Sequence, residues 1–430
     1  MTAHPHAPRR QRGLATLVVT LLLFLAMLLA ALFVNRHLLF EQRSATHQYR
    51  ASQAFEAAEA GLEWALAQLN NPIRIGADCL DASAAMSGTS AHAFRHRYLR
   101  TDTRSAHITP ATWAAGTGPH PLRPICVRGD AGWACSCPSD TAPTLPGIAS
   151  TSTAPAFSIE FVAAARPGVV RIVSHGCTQP AGDCASGATP EASARVEAAV
   201  ALVPALRTPP AAALTTRGAV VTSAALGVHN ADPETGIAID AGGAVTAPAV
   251  RLTTPAGASL DGAIVANDAT LATTPGTQLF AQLFGIGKTH WKSQPGVTRI
   301  DCSTGAADGC ATALQRALAA TDTPPLVWID GDLALSGPLT IASAERPAIV
   351  VATGAIRLSG DIRFHGVLYG AASSWDRTSA AGALLRGALI SESDHGGDGT
   401  PALVYDRELL ATLRQAAGSF VRVGGSWRDF

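Results

Sequence analysis

The hydrophobic pattern opens with an uncharged run. From Leu14 to Val34 there is no Asp, Glu, Lys, Arg, Asn, Gln or His, and about 21 residues is the length a helix needs to cross about 30 Å of hydrocarbon. The helical period then continues. Phe55, Ala58, Leu62, Ala65, Leu66 and Leu69 recur at three and four residues, with Glu56, Glu59, Glu63 and Gln68 on other faces, up to the stop at Asn70-Asn71-Pro72. The spacing predicts one helix from Leu14 to Leu69, about 84 Å long at 1.5 Å per residue. Residues 14–34 would span a membrane, and residues 35–70 would be amphipathic, with an apolar stripe that needs a cover.

Beyond Asn71 the period changes. Ile73 to Ser150 is rich in Ala, Ser, Thr, Pro and Gly and reads as loops and short strands. Phe157, Ile159 and Phe161 alternate, Val169 to Val173 is β-branched, and Val196, Ala198, Val200 and Leu202 alternate again, which predicts an antiparallel meander within 71–212. Laid on the amphipathic helix, such a sheet would cover it. From residue 213 onward short apolar triplets are punctuated by glycine, among them Ile237-Ala-Ile239, Val250-Arg-Leu252, Leu333-Ala-Leu335, Ile356-Arg-Leu358 and Ile362-Arg-Phe364. Strands of three or four residues turned by Gly or Asp predict a stacked, β-solenoid-like domain over 213–430. An irregular sandwich is the alternative, since the triplets recur at no fixed length. Gln278 to Gly285 and Ala311 to Ala320 predict a helical insert at 277–320, and Tyr405 to Leu413 a last helix. The fold class is therefore α+β.

Charge narrows the partners. With 32 basic and 32 acidic residues the net charge is zero, so no global field draws the chain to nucleic acid. Arg9, Arg10 and Arg12 precede the apolar run, which keeps the N-terminus cytoplasmic and sends the bulk across the membrane. All eight cysteines lie beyond the run, as befits disulfides in an oxidising compartment. Cys177 with Cys184, and Cys302 with Cys310, are spaced for local bridges. Cys79, Cys126, Cys135 and Cys137 leave their connectivity open, and Cys135-Ser-Cys137 is no C-x-x-C redox motif.

The leader and helix resemble a known family. Arg12-Gly13 followed by an unbroken membrane helix resembles the N-terminus of type IV pilins and type II secretion pseudopilins, and Gln53 to Leu66, QAFEAAEAGLEWAL, is similar to the helix of PilX-type minor pilins. The ending GSWRDF resembles large PilX-type proteins. The resemblance implies a prepilin leader over 1–13, cleavage by a prepilin peptidase between Gly13 and Leu14, and methylation of the new N-terminus. It also implies partners among other major and minor pilins and the inner-membrane assembly platform. Most pilins carry a glutamate at the fifth mature position, where this chain has Val18. The PilX and GspK types share that absence, which fits an initiating or capping subunit. A GspK-like pseudopilin of a type II secretion system is the nearest alternative.

Catalysis is the other class weighed. Solenoids that cleave polysaccharides need converging carboxylates and a basic residue, for which Asp330, Asp332, Asp361, Arg357 and Arg363 are the candidates. Asp330-Gly-Asp332 reads instead as turn chemistry, so a structural protein is expected and a membrane-anchored adhesin or glycan-active enzyme is the alternative. Glu392, Asp394 and Asp398 are the candidate calcium ligands, without EF-hand spacing. His92 and His96 lack the glutamate of a zinc-hydrolase helix and read as surface histidines. No metal or cofactor is expected, since P-loop, G-x-S-x-G and Rossmann fingerprints are absent from the sequence.

Overall fold

A computed structural model describes residues 13–82, 92–115, 118–147, 154–178, 184–185, 191–303, 307–321, 323–378 and 382–430. The leader, 1–12, lies outside them. Helix α1 runs unbroken from Gly13 to Asn70, 58 residues, or about 87 Å. Every described side chain from Thr16 to Tyr49 is exposed. Burial begins where the amphipathic period begins: Ala54, Ala57, Ala58, Leu62, Ala65 and Leu69 are all buried.

The cover is an antiparallel sheet. Its strands are β1 (Ile125–Gly129), β2 (Gly132–Ser136), β3 (Pro155–Ala163), β4 (Val169–Thr178) and β5 (Ser193–Pro204). The order is β5-β4-β3-β1-β2, with Ile172 of β4 opposite Phe161 on one side and Ala198 on the other. Phe157, Ile159, Phe161, Val170, Ile172 and Val200 pack with Ala65 and Leu69 in one core. The helix sits close because small residues face each other. A Cβ on Gly61 would overlap Ser174 and Phe157, and one on Gly176 would overlap the Ala54 carbonyl and Ala58; only a residue without a side chain permits that approach.

A further strand, Gly418–Arg422, completes the other edge of this sheet. Phe420 is opposite Leu202 and Gly418 opposite Pro204, and Glu197 and Val196 then pair with Arg428 and Asp429. Division of the chain at 212/213 does not match this pairing: the sheet draws on both sides of that boundary. The chain leaves it at Pro204 and returns at Gly418, and Ala205 N–H donates to Ala417 O at 3.0 Å. The tail beyond this strand is docked in part. Trp427 meets Phe55 edge to face, whereas Phe430, beneath Arg195, stays 67% exposed.

Between Ala212 and Val404 every named strand pair is parallel. The strands form three ladders, and the chain path through them is indirect. It starts in the middle, with 212–216, 220–222 and 226–229, and steps outward to 237–241, 245–246, 250–253 and 264–265. Helices α2 (Gly276–Phe284) and α3 (Lys288–Lys292) then carry it back along one face. Strand Val297–Asp301 and helix α4 (Ala307–Ala319) start the far end, and the strands from Leu326 to Val404 wind inward until Leu389 stacks on Leu214. Helix α5 (Arg407–Ala416) follows, with Asp406 Oδ1 accepting from Leu409 N–H at 3.0 Å as its cap. The expected insert at 277–320 thus contains a ladder strand as well as helices.

Alternation explains the double burial. Val327, Ile329, Val350, Leu368, Leu389 and Leu214 point into the interior. Trp328, Ile349, Val351, Val367, Tyr369 and Ile390 point the other way, under Phe280, Phe284 and Trp291 of α2 and α3 and Leu409, Leu410 and Leu413 of α5. A strand buried on both faces reads as a short continuous apolar run, which is what LVWI and AIVV are.

Candidate functional site

The exposed half of α1 is the most conspicuous surface of the molecule. Phe24, Met27 and Phe33 are 68%, 71% and 71% exposed, far more apolar surface than water tolerates on a single helix. Past its first turn the helix pairs its own backbone, and the Thr20 hydroxyl donates to Thr16 O and Leu17 O, each at 2.9 Å. A polar group satisfied in this way is compatible with lipid or with other apolar helices. Among the described residues this is one helix long and apolar enough to cross a membrane. Val18 is among its exposed positions; Gly13 starts the helix, and the side chain of Leu14 is outside the described set.

The far end of α1 is held rigidly. Arg95, in the short helix Phe94–Tyr98, donates from Nε to Leu69 O at 3.0 Å and from Nη2 to Gly418 O at 2.9 Å. Its Nη1 reaches Ala416 O at 3.5 Å. Arg97 donates to Gly76 O, Cys137 O and Ile75 O at 2.8, 2.6 and 2.5 Å. A guanidinium can serve several carbonyls at once because its donors are fixed in one plane. These two buried arginines tie the end of α1, the loop after it and the returning strand together. In the sequence the histidines around them, His92 and His96, stand out as candidate ligands, whereas the arginines carry a quieter signal: charge between Phe94 and Tyr98, two side chains with an obvious core role. His92 is exposed and His96 half-buried, and with Arg95, Arg100 and Phe420 they border a cavity of about 340 Å³.

The carboxylates weighed for catalysis go to separate partners. Asp330 accepts from Lys292 Nζ at 2.7 Å and Trp328 Nε1 at 2.9 Å, and the lysine contact holds it below the usual carboxylate range. Asp332 accepts from Arg357 and from Ala355 N–H, which lowers it too, the arginine chiefly. Arg363 is exposed on its strand and Asp361 half-buried beside it. The metal candidates also diverge. Glu392 pairs with Lys288 and accepts from the Tyr369 hydroxyl at 2.6 Å, Asp394 accepts from Ala219 N–H at 2.7 Å, and Asp398 from Arg377 N–H at 2.8 Å. No group of three His, Cys, Asp or Glu side chains is placed to hold a metal ion among the described residues. Lys288 and Lys292, the chain's two lysines, both serve to fasten α3 to the ladders.

All eight cysteines are bridged: Cys79–Cys137, Cys126–Cys135, Cys177–Cys184 and Cys302–Cys310. The two local bridges are those the spacing predicts. The other two resolve the open set, Cys126–Cys135 joining the paired strands β1 and β2 and Cys79–Cys137 reaching back to the loop after α1.

Residues 12–63 match the family model for the PilX N-terminal region. The N-terminal segment is thus similar to the N-terminal segments of the PilX family. The matched stretch covers the exposed half of α1 and its docked part as far as Glu63. None of the curated proteins compared with the chain matches it. Among solved structures, the competence-associated pilin ComZ from Thermus thermophilus aligns with 89% of this chain and 98% of its own, at 12% identity and a TM-score of 0.20, a value too low to carry an argument. The PilX-type segment therefore rests on the sequence match and on the exposed apolar helix that the structure assigns to it.

Proposed function

We propose that the chain is a minor pilin-like subunit of type IV pilus biogenesis, which starts or caps assembly by packing the exposed half of α1 against the helices of other pilins. The observation that carries the reading is the match of residues 12–63 to the PilX N-terminal family on a helix whose side chains from Thr16 to Tyr49 are all exposed. A second support is Val18, apolar at the position where a repeating subunit would present a carboxylate. On this reading residues 1–13 are a leader removed before Leu14, which is then methylated. The N-terminus starts in the cytoplasm, and residues 35–430 face the periplasm.

The antiparallel sheet with α1 is the pilin-like head. The stretch 205–417 is a β-solenoid-like module inserted between two of the head's neighbouring strands. We read the module as non-catalytic, because Asp330 and Asp332 are each engaged in fastening one turn or helix to the next.

Mass spectrometry of the mature protein from a host with a prepilin peptidase tests the reading. The expected product begins at a methylated Leu14. An intact Met1, or a cut anywhere other than after Gly13, overturns it. Co-purification with pilus rather than secretion-system subunits is the expected companion result.

A further inference from the structure

The outer face of α5 stands opposite a hairpin of the head. Strands Leu99–Thr101 and Ile108–Pro110 form that hairpin, and at its tip Asp102 Oδ1 accepts from Arg104 N–H at 2.8 Å. Between the tip, α5 and the turn 230–236 of the module is a cleft of about 560 Å³. That is the size of a small-molecule site, at the kind of place, a junction of two units, where such sites concentrate. A second cavity of about 280 Å³, also lined by Arg104 and Glu408, adjoins the same helix.

The charges of the cleft balance. Arg104, Arg407 and Arg414 line it together with Asp232, Glu234 and Glu408. Half of these are engaged with one another: Arg407 Nη1 lies 3.3 Å from Asp232 Oδ1 and 2.7 Å from Glu234 Oε1, and Asp232 Oδ1 also accepts from Glu234 N–H at 3.0 Å, which fixes the turn. Arg104, Glu408 and Arg414 are exposed, and their side chains make no hydrogen bond or ion pair among the described residues. Thr103, Thr235 and Gln415 add neutral donors and acceptors, and half-buried Tyr405 supplies an aromatic ring.

This lining selects among ligands by chemistry. Equal charge of both signs gives a polyanion or a polycation no advantage, and an apolar ligand would strip water from polar walls without return. A peptide is recognised through a free sheet edge, an apolar or polyproline groove, or a cluster of one charge. Here the walls are a helix and a turn whose backbones pair with themselves, with one aromatic ring. What remains is a neutral molecule crowded with hydroxyls. Carboxylates accept and guanidinia donate two bonds at a time in fixed planes, which suits adjacent hydroxyls, and the tyrosine ring offers an apolar face to the C–H side of a sugar. We propose that the cleft binds a neutral oligosaccharide, held between Arg104 of the head and Glu408 and Arg414 of α5. The site shares no residue with α1, so it does not depend on how that helix packs.

The full chain, in a detergent without a sugar headgroup, is titrated calorimetrically with uncharged di- to tetrasaccharides of glucose, galactose, mannose and N-acetylglucosamine. The expected result is saturable binding of at least one of them, with a dissociation constant of about 1 mM or tighter. Arg104→Ala, Glu408→Gln and Arg414→Ala should each weaken it roughly tenfold, the loss of one charge-assisted hydrogen bond. Ala411→Phe, which fills the cleft from α5 without removing a polar group, should abolish binding, whereas Arg363→Ala, exposed and not part of the lining, should leave it unchanged. Circular dichroism verifies that each variant is folded. No bound saccharide, equal affinity in the parent and all the cleft variants, or tighter binding of the peptide Gly-Ser-Gly-Ser or of inorganic phosphate than of every saccharide each overturn the proposal.

Discussion

Asn70 and Phe420, 350 positions apart in the chain, exchange two hydrogen bonds: Asn70 Nδ2 donates to Phe420 O at 2.9 Å, and Phe420 N–H donates to Asn70 Oδ1 at 2.7 Å. The side-chain amide at the last residue of α1 acts as a neighbouring strand would, pairing with the backbone of the returning strand. Both partners are buried.

Asn70→Ala should therefore leave a buried donor and acceptor on Phe420 unpaired, at about 1–3 kcal/mol each. The expected result is a lower urea midpoint with an unchanged slope. Limited proteolysis should also cut near residue 418 earlier than in the parent. A midpoint equal to that of the parent would show that water replaces the amide without cost.

Gly176→Ala should be more damaging than its size suggests. The added methyl meets backbone atoms of α1, at the Ala54 carbonyl and Ala58, rather than a side chain that can swing away. Overpacking of this kind costs about 1–3 kcal/mol and sometimes more. The readout is thermal unfolding of the full chain, in which Gly257→Ala, at a position with open space but a positive φ, should cost less.

Stability should fall between pH 6.5 and 4. His395 is fully buried, its Nδ1 2.8 Å from the Ser373 hydroxyl, and burial pushes its imidazole down to about 4. In the unfolded chain a histidine takes up its proton near pH 6.5. Above that pH both states are neutral and nothing is lost. As the pH falls the unfolded state binds the proton first, so stability drops until about pH 4 and then levels off, a loss of about 3 kcal/mol. Burial lowers His229 and His365 as well, and they act in the same direction. Urea midpoints at pH 7.5 and 4.5 measure the drop. His395→Asn should flatten most of it, and a variant with the full parental drop contradicts the assignment.

The four bridges should not be equal. Cys79–Cys137 encloses 58 positions and Cys302–Cys310 encloses 8. In the loop-entropy account, constraint of the unfolded chain by the longer loop contributes about 4 kcal/mol and by the shorter about 2.5 kcal/mol. Replacing each pair by serines and comparing denaturation midpoints tests the order; a larger loss from the Cys302–Cys310 pair reverses it.

How much of this was legible depends on the distance over which each signal acts. Helix α1 declares itself, because an uncharged run and a 3.6-residue period persist from Leu14 to Leu69. The alternation of β3, β4 and β5 is local too. Pairing across distance is not: Leu214 stacks on Leu389, yet each apolar triplet could sit on any other, so nothing in the pattern announces a path that begins mid-stack. The returning strand Gly418–Arg422 has a single buried large side chain, Phe420, and reads as a tail because its partner β5 is remote. Glu392, Asp394 and Asp398 look like a ligand set in sequence. The turns that bring them close in the chain also aim each at a separate lysine or amide.

The order in which the chain emerges has a consequence for its assembly. The strands 212–216, 220–222 and 226–229 appear early, but the neighbours on their inner side, within 384–404, come nearly last. Strand β5 likewise waits for Gly418–Arg422. Contacts so distant in sequence form late and slowly, and until they do the waiting edges are open to wrong partners. A chain that emerges in sequence order therefore carries these open edges for most of its synthesis, because neither unit can close before residues 384–422 arrive.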